Sequence, residues 1–250
     1  MSGMLRESCA AIWFHMRALW ATSFFLGTAV VTPISFALLR LIAAHWQVTP
    51  DLWFAASVSG LWATTTTAVG IIGYQRFQGV LQYQVMSVHP AGAVFLPPVA
   101  ASALIGIIGM PIAFALASLF AGRPVTVTPE QVAGLALALL ACVSSAAGLS
   151  AFFVLSRGAI AFEPLVLIPV WLLSGIVMPV DRFPLPLRVL AFAHPLTSAV
   201  WVAGRASFDG AVWLAGAGCI ALSALLLGAA AIGLRHALTR ACVEGTLDLA

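Results

Sequence analysis

The chain has 250 residues, of which 62% are apolar and 8% charged, with a mean hydropathy of +1.08. So few charges cannot cover so much apolar surface in water, which excludes a soluble enzyme or binding domain and also a disordered chain, and leaves lipid as the solvent. The net charge is +3 and all eleven basic residues are Arg. Without Lys there is no Walker A loop, Schiff-base lysine or lysine-assisted serine in this chain, and so small a basic excess gives no sign of nucleic acid.

Spans of about 20 apolar residues are needed to cross a bilayer as helix, the element that satisfies its own backbone in lipid. Residues 1–17 carry Leu5, Cys9, Ile12 and Met16 at helical spacing, continued by Leu19, with Arg6, Glu7 and Arg17 off that stripe. The pattern predicts an interfacial helix. The segment before Ala18 lacks the compact apolar stretch and cleavage site of a signal peptide. Charge-free runs then predict six transmembrane helices: Ala18–Leu39, Leu52–Tyr74, Ala91–Gly122, Val132–Ser156, Pro164–Val180 and Ala211–Leu234. The third run is too long for one straight span, and Pro97-Pro98 is expected to mark where it begins.

The connections differ in character. Trp46 and Trp53 bracket a short one, as expected at a headgroup boundary. Residues 75–90 are polar with spaced apolar positions (Phe77, Val80, Leu81, Val85, Met86, Val88), which predicts a surface amphipathic helix. The segment 179–206 holds Pro184, Pro186 and Pro195 and two apolar stretches too short to span, and so predicts re-entrant or surface helices. Six spans put both termini on one side. If that side is cytoplasmic it holds Arg6, Arg17, Arg76, Arg157, Arg235 and Arg240, against Arg40, Arg123, Arg182, Arg188 and Arg205 opposite.

Few residues point to chemistry. Gly148-Leu149-Ser150-Ala151 has a faint likeness to an intramembrane serine hydrolase, but His194 and His236 fall near span boundaries, and Ser150 reads as a helix hydroxyl bonded to its own backbone. No Cys-x-x-Cys, His-Glu-x-x-His or paired-His spacing favours a metal. The span centres carry no charge, which argues against a proton-coupled pump. Thr64, Thr65, Thr66 and Thr67 ring the second span, so Thr64 and Thr67, with Trp171 and Ser174 on the fifth, are candidate path-lining residues. Pro33, Pro111 and Pro169 can bend their helices, and Ala217, Ala221, Ala224, Gly228 and Ala231 form a small-residue stripe suited to close helix contact.

Two stretches carry a family likeness. Tyr74-Gln75-Arg76-Phe77-Gln78-Gly79-Val80-Leu81, ending at His89-Pro90, resembles a Glu-Arg-x-x-Gly-Thr-Leu…Pro pattern through Arg76, Gly79, Leu81 and Pro90, with Gln75 in place of the acid and Val80 in place of Thr. Ser174-Gly175…Pro179, then Pro184, Pro186, His194-Pro195-Leu196 and Arg205, follows a Ser-Gly…Pro…Pro-Leu pattern. Both resemble the ABC-2-type permease family, the membrane subunits of ATP-driven exporters, and the six-span spacing extends the likeness over a single domain of residues 1–250. The resemblance implies a prokaryotic inner-membrane permease with cytoplasmic termini. It makes 75–90 a cytoplasmic coupling helix docked on a separate ATPase subunit that binds ATP and Mg, with Arg76, Gly79, Leu81 and Pro90 as coupling residues. It makes 179–206 external re-entrant helices, with Gly175, Pro179, Pro195 and Arg205 as the gate motif. A second permease subunit, identical or homologous, would complete a path lined by the second and fifth spans. Cofactors would be absent from this chain, and the cargo an amphipathic or lipid-like compound. The readings from other classes are an intramembrane serine hydrolase and a non-transporting immunity or scaffold protein in the membrane.

Overall fold

A computed structural model describes residues 2–77, 83, 86–87, 89–155 and 163–243. Among them every regular element is helical: α1 (Ser2–Trp20), α2 (Ser23–Ala43), α3 (Leu52–Phe77), α4 (Ala91–Gly106), α5 (Gly109–Ala121), α6 (Pro129–Leu155), α7 (Glu163–Leu173), a 3-10 turn (Val180–Arg182), α8 (Leu185–Phe192), α9 (Pro195–Ala203) and α10 (Gly210–Val243).

Four stretches are long and apolar enough to cross a bilayer: Ser23–Ala43, Gly92–Ala121, Pro129–Ser150 and Gly210–Arg240. The chain is thus a helical membrane protein. The six spans expected from the sequence are found only in part. Helix α3 has the length, 26 residues. Its Ser57, Ser59, Gly60 and four threonines dilute its apolar character, and residues 52–66 are buried on every side. Helix α7 is described from Glu163 to Leu173, and residues 156–162 before it lie outside the described residues.

Boundaries also differ from the sequence reading. The interfacial helix runs on to Trp20 and the first span starts at Ser23, after a bend at Ala21-Thr22. Pro97 and Pro98 lie inside α4 and do not mark its start, which Pro90 caps with extended backbone (φ −61°, ψ 144°). The third run breaks at Ile107-Ile108 instead. Pro111 has no N–H to give the Ile107 carbonyl, which accepts from Met110 N at 2.9 Å in a tighter turn. The fourth span starts at Pro129, three residues before the expected Val132. Its start is a capping box: Gln131 N donates to Thr128 Oγ1 at 3.3 Å and Thr128 N to Gln131 Oε1 at 3.2 Å, with Pro129 in the first helical position.

Small residues make the interior and large ones face out. Helix α2 buries Ala29, Pro33, Ala37 and Leu41, a four-residue repeat, while Phe24, Val31, Leu39 and Ile42 are exposed. Helix α5 buries Gly109, Ala113 and Ala117 and exposes Leu119. Lipid tails are as apolar as leucine, so helices associate through close backbone approach, which small seams permit. Pro33 sits between two glycines: a Cβ on Gly60 of α3 would fall 2.9 Å from its ring, and one on Gly109 of α5 3.0 Å from it. Helix α3 is central, touching α2, α4, α5, α6 and α7; α6 packs on α9 and α10, and α1 lies on α4. Ile12, Met16 and Leu19 of the expected stripe turn toward Ala101 and Ile105 of α4, whereas Cys9 is exposed.

Candidate functional site

The proline-rich segment after α7 builds two linked polar clusters, one deep in the bundle and one at its end. Helices α8 and α9 meet at a bend of 103°. His194 is at that bend and caps α9: Leu196 N donates to its Nδ1 at 3.3 Å, and Pro195, buried, takes the first helical position. Gly134 of α6 lets α9 in so closely that a Cβ there would lie 2.5 Å from Ala203 Cβ and 2.9 Å from the Ala199 carbonyl oxygen. About three turns further along α6, some 16 Å deeper, Ser145 Oγ lies 3.1 Å from His194 Nε2. The Trp62 ring meets the imidazole edge-on at 5.4 Å, and Trp62 Nε1 donates to the Leu167 carbonyl at 3.2 Å.

The direction of these bonds follows from their partners. Nδ1 accepts the Leu196 N–H, so the neutral ring carries its proton on Nε2 and donates it to Ser145 Oγ. The Ser145 hydroxyl in turn donates to the Ala141 carbonyl at 2.7 Å. A nucleophilic serine needs the opposite polarity, with the imidazole accepting the hydroxyl proton. Ser150 bonds the Ala147 carbonyl at 2.6 Å, as its sequence setting predicts. His194 itself is deep and not at a boundary. The sequence hid this because the two apolar stretches around it look alike.

Two spaces adjoin His194. A cleft of about 430 Å³ runs between α7 and α10, with Ser145, Gly148, Ala229 and Gly233 among its walls. A pocket of about 70 Å³ lies on the other side, lined by Ser174, Thr197 and Ala191 among others. His194 and Val170 belong to both walls. Thr197 is fully buried, and its Oγ1 has no hydrogen-bond partner among the described residues; Trp171 Nε1 shares that condition.

At the end of the bundle the chain leaves α7 through Ser174, whose Oγ is 3.4 Å from the Trp171 carbonyl, and Gly175, whose φ is +89°. Only glycine suits that position, since a Cβ would also lie 2.8 Å from Val180 Cγ2. Pro179 precedes the 3-10 turn, which presents Asp181. Asp181 pairs with Arg205 at 3.0 Å and Arg188 at 3.4 Å and accepts from Trp201 Nε1 at 3.4 Å, while Arg205 stacks 3.7 Å above the Trp201 ring. Arg40, at the end of α2, pairs with Asp51 at 2.9 Å and donates to the Ile176 carbonyl at 3.3 Å. Gly175, Pro179 and Arg205 therefore belong to one end, and Pro195 to the deep end.

The other expected residues fall as follows. Thr64 is buried, donates to the Gly60 carbonyl at 2.7 Å and packs against Gly106 in a helix contact. Thr67 is half-buried on the same helix. Ser174 lines the deep pocket, and Trp171 is half-buried in the last turn of α7. Arg76 is in the last turn of α3, and Pro90 is exposed before α4. Gly79 and Leu81, with half of 75–90, lie outside the described residues. Among the described residues no three His, Cys, Asp or Glu side chains gather as metal ligands. The sequence reading missed Ser145, Thr197, Arg40, Asp181 and Gln131. The visible signals were Thr128-x-x-Gln131 as a helix start, and the opposed charges Arg40 and Asp51 flanking one short loop. Comparison with family models, curated proteins and solved structures finds no match.

Proposed function

We propose that this chain is the permease subunit of an ATP-driven exporter of the ABC-2 type, and that it moves an amphipathic or lipid-like compound out of a prokaryotic cell through the inner membrane. The observation that carries the reading is the bent α8–α9 pair. It lies between α7 and the long α10, its tip reaches mid-bundle at His194, and its far end is tied by Asp181, Arg188 and Arg205. Such an element can close a path from outside by small shifts of two short helices. The apolar wall, with no buried charge pair near it among the described residues, favours an amphiphile over an ion.

In this reading α2, α3, the broken α4–α5 rod, α6, α7 with its turn, and α10 are the six crossings, with both termini cytoplasmic. Residues 75–90 dock on a separate ATPase subunit, which binds ATP and Mg. A second permease subunit pairs with this one. ATP-driven closure of the ATPases pulls on Arg76, Gly79 and Leu81, and the spans change from inward- to outward-facing. Cargo moves because the two states bind it with different affinity.

The test is co-expression with candidate ATPases, then reconstitution in liposomes. The chain should co-purify with one of them, and amphiphile probes should stimulate ATP hydrolysis. Gly79→Pro should retain assembly and lose export. Transport by the isolated chain, or normal export by Gly79→Pro, would overturn the reading. Labelling of Ser145 or Ser150 by a fluorophosphonate would favour the serine hydrolase instead. An assembled complex that hydrolyses ATP but moves nothing would favour the scaffold.

A further inference from the structure

The two spaces that meet at His194 have a chemistry of their own. The cleft, about 430 Å³, falls within the range of about 300–1,000 Å³ that holds drug-sized ligands. Its walls are kept clear by small residues. A Cβ on Gly148 would touch only Leu226 Cδ2, at 4.0 Å. Among the described residues no charged side chain lines either space. An ionised head would lose its hydration there with no counter-charge among the described residues to offset the loss. The polar groups gather at the inner end.

Both ring nitrogens of His194 already have partners, and so does the Ser145 hydroxyl proton. Thr197 does not: its hydroxyl is wholly buried in the small pocket and has no partner among the described residues. A buried donor in that condition is costly, and an occupant offering one acceptor removes the cost. His194 and Val170 line both spaces, so the pocket that holds Thr197 adjoins the inner end of the cleft.

We infer that the cleft and pocket form one binding site for an uncharged amphiphile: an aliphatic body between α7 and α10, and a small neutral head, hydroxyl or carbonyl, hydrogen-bonded to Thr197 at the tip of the α8–α9 bend. Calling the occupant cargo rests on the permease reading; its binding does not.

The probe is a long-chain fatty alcohol bearing a mid-chain diazirine, photolysed with the purified chain in lipid nanodiscs without any ATPase. Cross-links should concentrate on peptides holding Gly148-Leu149 and Leu226–Gly233. Unlabelled alcohol should compete at least about tenfold better than the amine, the carboxylate or the alkane of equal length. Ala229→Phe, which fills the cleft from its exposed rim, should cut labelling about tenfold; Gly233→Leu serves the same purpose if that variant fails to elute as a single species. Thr197→Val, isosteric and without the hydroxyl, should leave alkane competition unchanged and reduce the alcohol's advantage about fivefold. Equal competition by charged analogues, labelling indifferent to cleft filling, or an undiminished alcohol preference in Thr197→Val would each overturn the inference. Correct labelling without ATP coupling would leave the site standing and remove the permease reading; ATP coupling without labelling would do the reverse.

Discussion

Pro33 shows how one residue fixes a helix contact here. It gives up the hydrogen bond to the Ala29 carbonyl, and its ring fills a slot that exists because Gly60 and Gly109 have no Cβ. Gly60→Ala would bring a methyl to 2.9 Å from that ring, and a rigid ring does not move aside as a flexible side-chain end would. The expected cost is about 1–3 kcal/mol, read as a lower thermal midpoint in detergent. In a Pro33→Ala background the same change should cost less than half as much, and a double-mutant cycle with no coupling would refute the slot. Gly228 is the contrast. Nothing lies within 4 Å of its would-be Cβ, so Gly228→Ala should leave the midpoint unchanged or raise it by the helix preference of alanine, about 1 kcal/mol at most. The small-residue stripe containing Gly228 was legible in the sequence, but its direction was not. Ala217, Ala221, Ala224, Gly228 and Ala231 are all exposed, while α10 packs inward through Cys219, Ser223 and Ala230.

Among the elements, α6 has the best-determined start. Gln131 closes the capping box, accepts from Trp53 Nε1 at 3.2 Å and donates to the Pro50 carbonyl at 3.2 Å, so one side chain ties α6 to the start of α3. Thr128→Ala should cost about 1 kcal/mol, the ordinary value of a cap. Gln131→Ala should cost about twice that or more, because it also strands a buried indole N–H; equal shifts in thermal midpoint for the two variants would show that the tie to α3 carries nothing. Helix α1 has a pH-dependent hold. Burial lowers the pKa of His15 from 6.5, so the docked helix binds fewer protons than the released one. Docking is therefore complete above about pH 6.5 and weakens as pH falls through that value. Amide protection in residues 2–20, taken relative to the intrinsic exchange rate at each pH, should fall between pH 7.5 and 5.5, and His15→Gln should remove that dependence. The start of α3 at Leu52 could be read from Asp51 before it, whereas α2 starts at Ser23, well after Arg17, and runs past Arg40 to Ala43. The break at Ile107-Ile108 could not be read, because it interrupts an unbroken apolar run and its cause, Pro111, lies a turn downstream.

For the whole molecule, the connections sort into two ends. Trp46, Thr49 and Pro50 share a cavity with Arg123 and Thr126, and Arg40 ties the α2–α3 connection to Ile176 next to the Asp181 cluster. Single cysteines replacing Gln47, Thr126 and Ser207 in a cysteine-free chain should all react with an impermeant maleimide from one face of sealed vesicles, and one replacing Ser87 only from the other. Any of the first three reacting with Ser87 would break the topology. Composition made the membrane class legible, and periodicity the N-terminal helix. What stayed hidden was depth. Apolar runs around His194 read alike whether they lie on the surface or enter the bundle, and only the contacts of α9 with α6 decide between the two.

The shortness of α8 and α9 has a consequence for biogenesis. Helices of 8 and 9 residues cannot partition into a bilayer singly as a spanning segment does. They have to wait at the translocon or the headgroup layer until α6 and α10 flank them, so this part of the protein is the last to mature. A ribosome-bound chain stalled before Gly210 would still hold it unassembled.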